Sequence, residues 1–266
     1  MTMSAANIYT GATTVSNGTL LVSGTIGNGA VTVAGGTLLV RGSIGNGAVT
    51  VANGTPGGSG TIGGAVNVQS VGIVAPGAIT DVAGTVLTIN NSLALNSGSA
   101  TTMSVSHNNQ TNDQIVCQAV VYGGTLTVTT NAGDAPLVAG NAFRLFNVSL
   151  NIYSGSLSAT NLPALSPGLV WSNSLASNGS ITLVPSSSSG APVTISGGAI
   201  SGGMFVISGT NGVLGQQYRL LETTNVALPL AAWTPVWTNV FGANGSFSYI
   251  NTPGVNPAGF FLLVSP

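Results

Sequence analysis

The chain has 266 residues and a net charge of −1, and only 3% of its residues are charged: Arg41, Arg144, Arg219, Asp81, Asp113, Asp134 and Glu222, with no lysine. Three arginines cannot neutralise a phosphate backbone, which excludes nucleic-acid binding, and the same shortage excludes a polybasic membrane patch. The 44% apolar content, spaced regularly between 39 glycines, separates the chain from a disordered one.

The N-terminus, MTMSAANIYTG, lacks a basic region followed by an apolar core, so no signal peptide is read there and the chain is expected to begin inside a repeat. Val15–Thr32 (VSNGTLLVSGTIGNGAVT) and Val33–Thr50 (VAGGTLLVRGSIGNGAVT) then match at 14 of 18 positions. A degraded copy, Val51–Asn67 (VANGTPGGSGTIGGAVN), is one residue shorter. Within each copy two apolar stretches recur, GTLLV and AVTV, with a short TI or SI between them and Gly-Asn-Gly or Gly-Gly at the joins. These are short strands separated by glycine turns, without a helical period. A short repeat that cannot bury its own apolar face must stack on its neighbours. Three strands per 18 residues predict one coil of a parallel β-helix, with successive coils about 4.8 Å apart. Leu20 is then expected to stack on Leu38, Val22 on Val40, and Ile26 on Ile44 and Ile62, forming the core of the repeats. An array of antiparallel hairpins is the alternative for this period.

Beyond the repeats, strands are read at Ile73–Ala78, Val86–Leu95, Thr102–Ser106, Gln114–Val121, Gly124–Thr129, Arg144–Val148 and Ser180–Val184. The solenoid is therefore expected over residues 1–185, with Leu162–Trp171 as a capping or closing loop. Cys117, alone in the run IVCQAVVYG, has no intrachain disulfide partner and reads as a buried small hydrophobe. PSSSSGAP, Pro185–Pro192, reads as a linker, so 186–192 separates two domains. Aromatic residues then crowd between turn-rich strands, predicting a small antiparallel β-sandwich over 193–266. No apolar run reaches the ~18 residues of a membrane helix, so no membrane insertion is expected.

NGTLLVSGTIGNGAVTV and GGSGTIGGAV, followed by VGIVAPGA and LTINNSLAL, resemble the autotransporter-associated β-strand repeat. The lead-in YTGATTV and the continuation NDQIVCQAVVYGGTLTV are similar to that repeat's flanks. The C-terminal YRLLETTNVALPLAAWTPV and FGANGSFSYINT look like the terminal module of large secreted bacterial proteins that carry it. The resemblance covers nearly the whole chain. It implies a secreted or surface-exposed passenger folded as a right-handed β-helix. An autotransporter ends in a membrane β-barrel, whereas this chain ends FFLLVSP after a module too short for one, so export through its own pore is not expected.

Chemistry needs titratable groups brought together, and few are available. His107 and Asp113 lie six residues apart in SHNNQTND, which holds too few ligands for a metal and reads as a polar turn at a coil corner. No G-x-S-x-G elbow, phosphate loop or convergent carboxylate pair is read, so neither an enzyme nor a cofactor is expected. Trp233 and Trp237, four apart in a strand-like run, are expected to share one face, as a glycan platform or as sandwich core. The leading expectation is an all-β structural protein outside the cell that stacks head to tail into a filament with copies of itself. An adhesin or glycan-binding module, with the solenoid as spacer and a surface polysaccharide as partner, is the alternative.

Overall fold

The computed structural model describes residues 1–77, 83–186, 193–201, 204–242, 245–251 and 259–264. They form two compact units, Met1–Val184 and Pro185–Pro266.

The first unit is a parallel β-helix. Its first coil holds β1 (Thr2–Met3), β2 (Ala6–Asn7) and β3 (Thr13–Val15). The second holds β4 (Thr19–Val22), β5 (Thr25–Ile26) and β6 (Val31–Val33). The third holds β7 (Thr37–Val40), β8 (Ser43–Ile44) and β9 (Val49–Val51). The fourth holds β10 (Thr55–Gly57), β11 (Thr61–Ile62) and β12 (Val66–Val68). Each strand bonds in parallel to its equivalent in the next coil, which rules out the hairpin array.

The register follows the repeat. Leu20 lies beside Leu38, and Val22 beside Val40. Ile26, Ile44 and Ile62 form one column, and Val31, Val49 and Val66 another. All are buried, Ile26, Leu38, Val40 and Ile62 completely. A side chain of this size contributes about 1.5–3 kcal/mol when fully buried, so the columns are the main source of stability. The alternate residues face out as uncharged ladders, in which the Thr25 and Ser43 hydroxyls bond at 3.1 Å and the Asn46 N–H donates to Asn28 Oδ1 at 2.9 Å. Such pairs satisfy the polar surface without charge. Glycine at the corners is set by close approach: a Cβ on Gly42 would stand 1.9 Å from the Gly24 carbonyl oxygen one coil below.

The coils then lengthen. The fifth holds β13 (Ile73–Val74), β14 (Val86–Ile89) and β15 (Ser92–Leu95); Asp81 and Ala78, the last residue of the run read at Ile73–Ala78, lie outside the described residues. The sixth holds β16 (Ala100–Ser106), β17 (Thr111–Asn112), which turns back antiparallel on β16, and β18 (Gln114–Tyr122). The first half of β18 pairs with β14 and its second half with β15, so two faces of the helix merge into one continuous strand. β19 (Thr125–Thr130), β21 (Phe146–Gly155) and β22 (Ala159–Asn161) complete the stack, and β20 (Ala142–Arg144), between β19 and β21, belongs to the closing sheet.

One end is closed in part by β23 (Leu169–Ser174), a single helical turn α1 (Leu175–Asn178) and β24 (Ser180–Pro185), which leave β22 and the second half of β21 paired on one side only among the described residues. β24 runs antiparallel to β20, pairing Phe143 with Ile181. Leu175, Ile181 and Leu183 are buried over the last coil. The closing segment at Leu162–Trp171 is only in part a loop: Leu162 and Leu165 pack on the core, while Leu169–Trp171 already belong to β23.

The second unit holds β25 (Thr194–Ser201), β26 (Met204–Thr210), β27 (Gln217–Thr223), β28 (Thr234–Val240), β29 (Phe247–Asn251) and β30 (Phe260–Val264). They make two three-stranded antiparallel sheets, β25-β26-β29 and β28-β27-β30. Ile207, Tyr218, Leu220, Phe241, Phe247 and Tyr249 form its core, with the Tyr218 and Phe241 rings 4.7 Å apart. Of the linker read at 186–192, residues 187–192 lie outside the described residues.

Candidate functional site

Asp113 follows the β16–β17 turn and is 1% exposed, although the sequence reads it as part of a polar turn. Its Oδ1 accepts the Thr85 N–H at 3.0 Å and its Oδ2 the Ser104 N–H at 2.8 Å. The carboxylate thus ties the lead-in to β14 to β16, a structural clamp rather than a reactive group. Burial pushes its pKa above the ordinary carboxylate value and outweighs the opposing backbone hydrogen bonds. The folded state therefore holds this proton more tightly than the unfolded chain. Asp113's contribution to stability is full below the unfolded value and is lost as pH rises through the folded one. In Asp113→Asn the amide satisfies one N–H and opposes the other, costing about 1–3 kcal/mol at neutral pH. The melting-temperature gap between wild type and Asp113→Asn is expected to widen as pH falls from 7 towards 4; a narrowing gap contradicts this assignment.

His107 and Asp113 are not brought into a pair. The His107 main-chain N–H instead donates to Asp134 Oδ2 at 2.9 Å. Its ring Nδ1 lies 2.9 Å from Asn141 Oδ1, which also accepts the Val138 N–H at 2.9 Å. That shared acceptor assigns the proton to Nδ1. Asn141 is buried, and no local pattern in the sequence points to it. Asp134 also lines a cleft of about 470 Å³ with Thr130, Pro136, Leu165 and Ser166. One carboxylate beside hydroxyls and apolar side chains can hold a neutral polar molecule, but lacks the second carboxyl that paired-acid hydrolysis needs. Among the described residues no three of His, Cys, Asp and Glu converge as metal ligands. Cys117 is buried in the core, and burial pushes its thiol up to about 12, which keeps it protonated and unreactive at neutral pH.

In the second unit the two tryptophans do not share a face. A bulge on β28 sets Pro235 opposite Leu221 but Trp237 opposite Leu220. The extra residue, Val236, reverses the alternation. Trp237 therefore leans to the inner side, 5.8 Å from the Tyr249 ring, and remains 41% exposed. Trp233, just before β28, turns to the outer face, where it lines a cleft of about 380 Å³ with Arg219, Leu221, Leu230, Pro235 and Val264. The indole N–H donates to the Leu228 carbonyl at 3.1 Å, which fixes the ring. In the sequence Arg219 counts only as one of three scattered arginines, although its alternation between buried Tyr218 and Leu220 is the pattern of an outward-facing cation.

In comparisons with known proteins, no family model matches the chain and no curated protein matches it, so its resemblance to the autotransporter-associated repeat rests on the motifs alone.

Proposed function

We propose that this chain is a structural β-solenoid of the cell exterior, a relative of autotransporter-associated repeat passengers, which associates head to tail with copies of itself. The observation that carries the reading is the unpaired edge of the first coil beside near-identical coils. β1, β2 and β3 each pair on one side only among the described residues. In the coil above, Thr32 and Val33 repeat Thr14 and Val15 at a step of 18 residues, while Ala6 and Asn7 pair with Thr25 and Ile26 at a step of 19. An open parallel edge templates further pairing, and a heterologous contact along the stacking axis, whose rotation does not close a ring, extends into a filament. At the opposite end of the unit, β22 and the second half of β21 also pair on one side only among the described residues. A net charge of −1 opposes association weakly.

Electron microscopy of the purified chain at neutral pH is expected to show regular filaments. Thr14→Pro separates edge pairing from folding. The Thr13 N–H donates to Ala30 O and the Val15 carbonyl accepts from the Ala34 N–H. Thr14's own N–H therefore alternates to the open side, and proline there removes only the edge donor. The variant is expected to keep the wild-type circular dichroism and to form no filaments. Filaments of unchanged length and abundance from Thr14→Pro, or dispersed wild-type monomers at every concentration tried, would count against the reading.

A further inference from the structure

We propose that the outer face of the C-terminal unit binds an acidic sugar, a uronic-acid unit of a polysaccharide, with Trp233 as the stacking platform and Arg219 as the carboxylate receptor. The inference goes beyond the structural reading above and does not depend on it.

The register assembles the site. Arg219 pairs with Val264, and Leu221 pairs with Leu262 on one side and Pro235 on the other. Residues opposite one another on antiparallel strands share a face, so Arg219, Leu221, Val264 and Pro235 form one outward floor. The 3₁₀ turn Leu230–Ala232 folds Trp233 over that floor. The cleft, open to solvent and about 380 Å³ in volume, lies within the range of small-ligand clefts.

Two features select the ligand. Arg219 is the only cation of residues 185–266. Among the described residues no carboxylate pairs with it, and Glu222, opposite Phe261, alternates to the other face of β27. A guanidinium that no described carboxylate opposes, beside an indole, presents a planar fork for a carboxylate next to a flat apolar surface for a ring. That pairing of a charge and a hydrophobic face on one small molecule is the chemistry of a uronic acid. A peptide fits less well, because β27 is the central strand of its sheet and both its edges are already paired. The floor that β27 contributes offers side chains and no free main-chain ladder for β-augmentation.

The test is calorimetric titration of the full chain with hexagalacturonate, its fully methyl-esterified form, and a short peptide ending in a free carboxylate. Wild type is expected to bind the free acid, more weakly as salt rises, and to bind the ester about tenfold or more weakly. Arg219→Gln and Trp233→Leu are each expected to weaken binding of the acid by about tenfold or more. Arg219→Lys is expected to retain part of it, and Trp237→Phe all of it. Both replaced side chains lie on the surface of the cleft, and an unchanged melting temperature verifies the fold. Equal binding of acid and ester, binding unaffected by Arg219→Gln and Trp233→Leu, selective binding of the peptide, or no binding of hexagalacturonate by wild type would each overturn the proposal.

Discussion

Leu38→Asp is expected to abolish folding of the solenoid, and with it any assembly. Leu38 is fully buried, with Leu20 beside it in one coil and Pro56 in the next. Truncating a buried leucine to alanine already costs about 2–5 kcal/mol. An ionised carboxylate there adds a desolvation penalty of several kcal/mol, and no partner in the column offsets it. The sum is comparable with the ~5–15 kcal/mol that holds a domain together. Coils stabilise one another only as neighbours, so loss of the third coil also removes support from the second and fourth. The neighbouring variant Leu39→Asp is the control. Leu39 faces outward beside Leu21, and a carboxylate there remains hydrated. Circular dichroism and urea titration are expected to show an unfolded Leu38→Asp and a folded Leu39→Asp. Two variants of equal stability would mean that the alternation along β7 is misassigned.

That contrast also marks what the sequence discloses. Leu20, Ile26, Leu38 and Ile44 can be placed from the sequence because the same residue types return at the same step, and a parallel stack converts equal spacing into direct contact. Once the coil length varies, the rule has no period to work with. β13 and β16 begin 27 residues apart, at Ile73 and Ala100, yet pair directly. The fusion of two faces in β18 comes where its partner changes from Thr88 opposite Val116 to Ser92 opposite Ala119, a step that nothing local in the sequence marks. The closing sheet depends on Phe143 meeting Ile181, a pairing that nothing local encodes. The same reason separates Trp233 from Trp237: one inserted residue reverses the parity on which their shared face depends. Asp113 is misread for a different reason. Its polar neighbours, Thr111 and Asn112, suggest solvent, but its partners are backbone N–H groups brought from Thr85 and Ser104 by the fold.

The second large effect is expected at Gly36, and comparison with Gly18 isolates its cause. Both glycines precede a TLLV strand, and both have left-handed backbones, with φ of +68° at Gly36 and +66° at Gly18. An alanine in that conformation costs about 1–2 kcal/mol at either position. The surroundings differ. A Cβ on Gly36 would stand 2.3 Å from the Gly18 carbonyl oxygen, whereas a Cβ on Gly18 meets nothing within 4 Å. Gly36→Ala must therefore push two coils apart, breaking the bond from the Thr37 N–H to the Gly18 carbonyl, now 2.8 Å. Overpacking of this kind adds about 1–3 kcal/mol. Urea denaturation is expected to rank wild type above Gly18→Ala, and Gly18→Ala above Gly36→Ala by that margin. Equal losses would leave backbone conformation as the whole effect and remove close stacking as its cause.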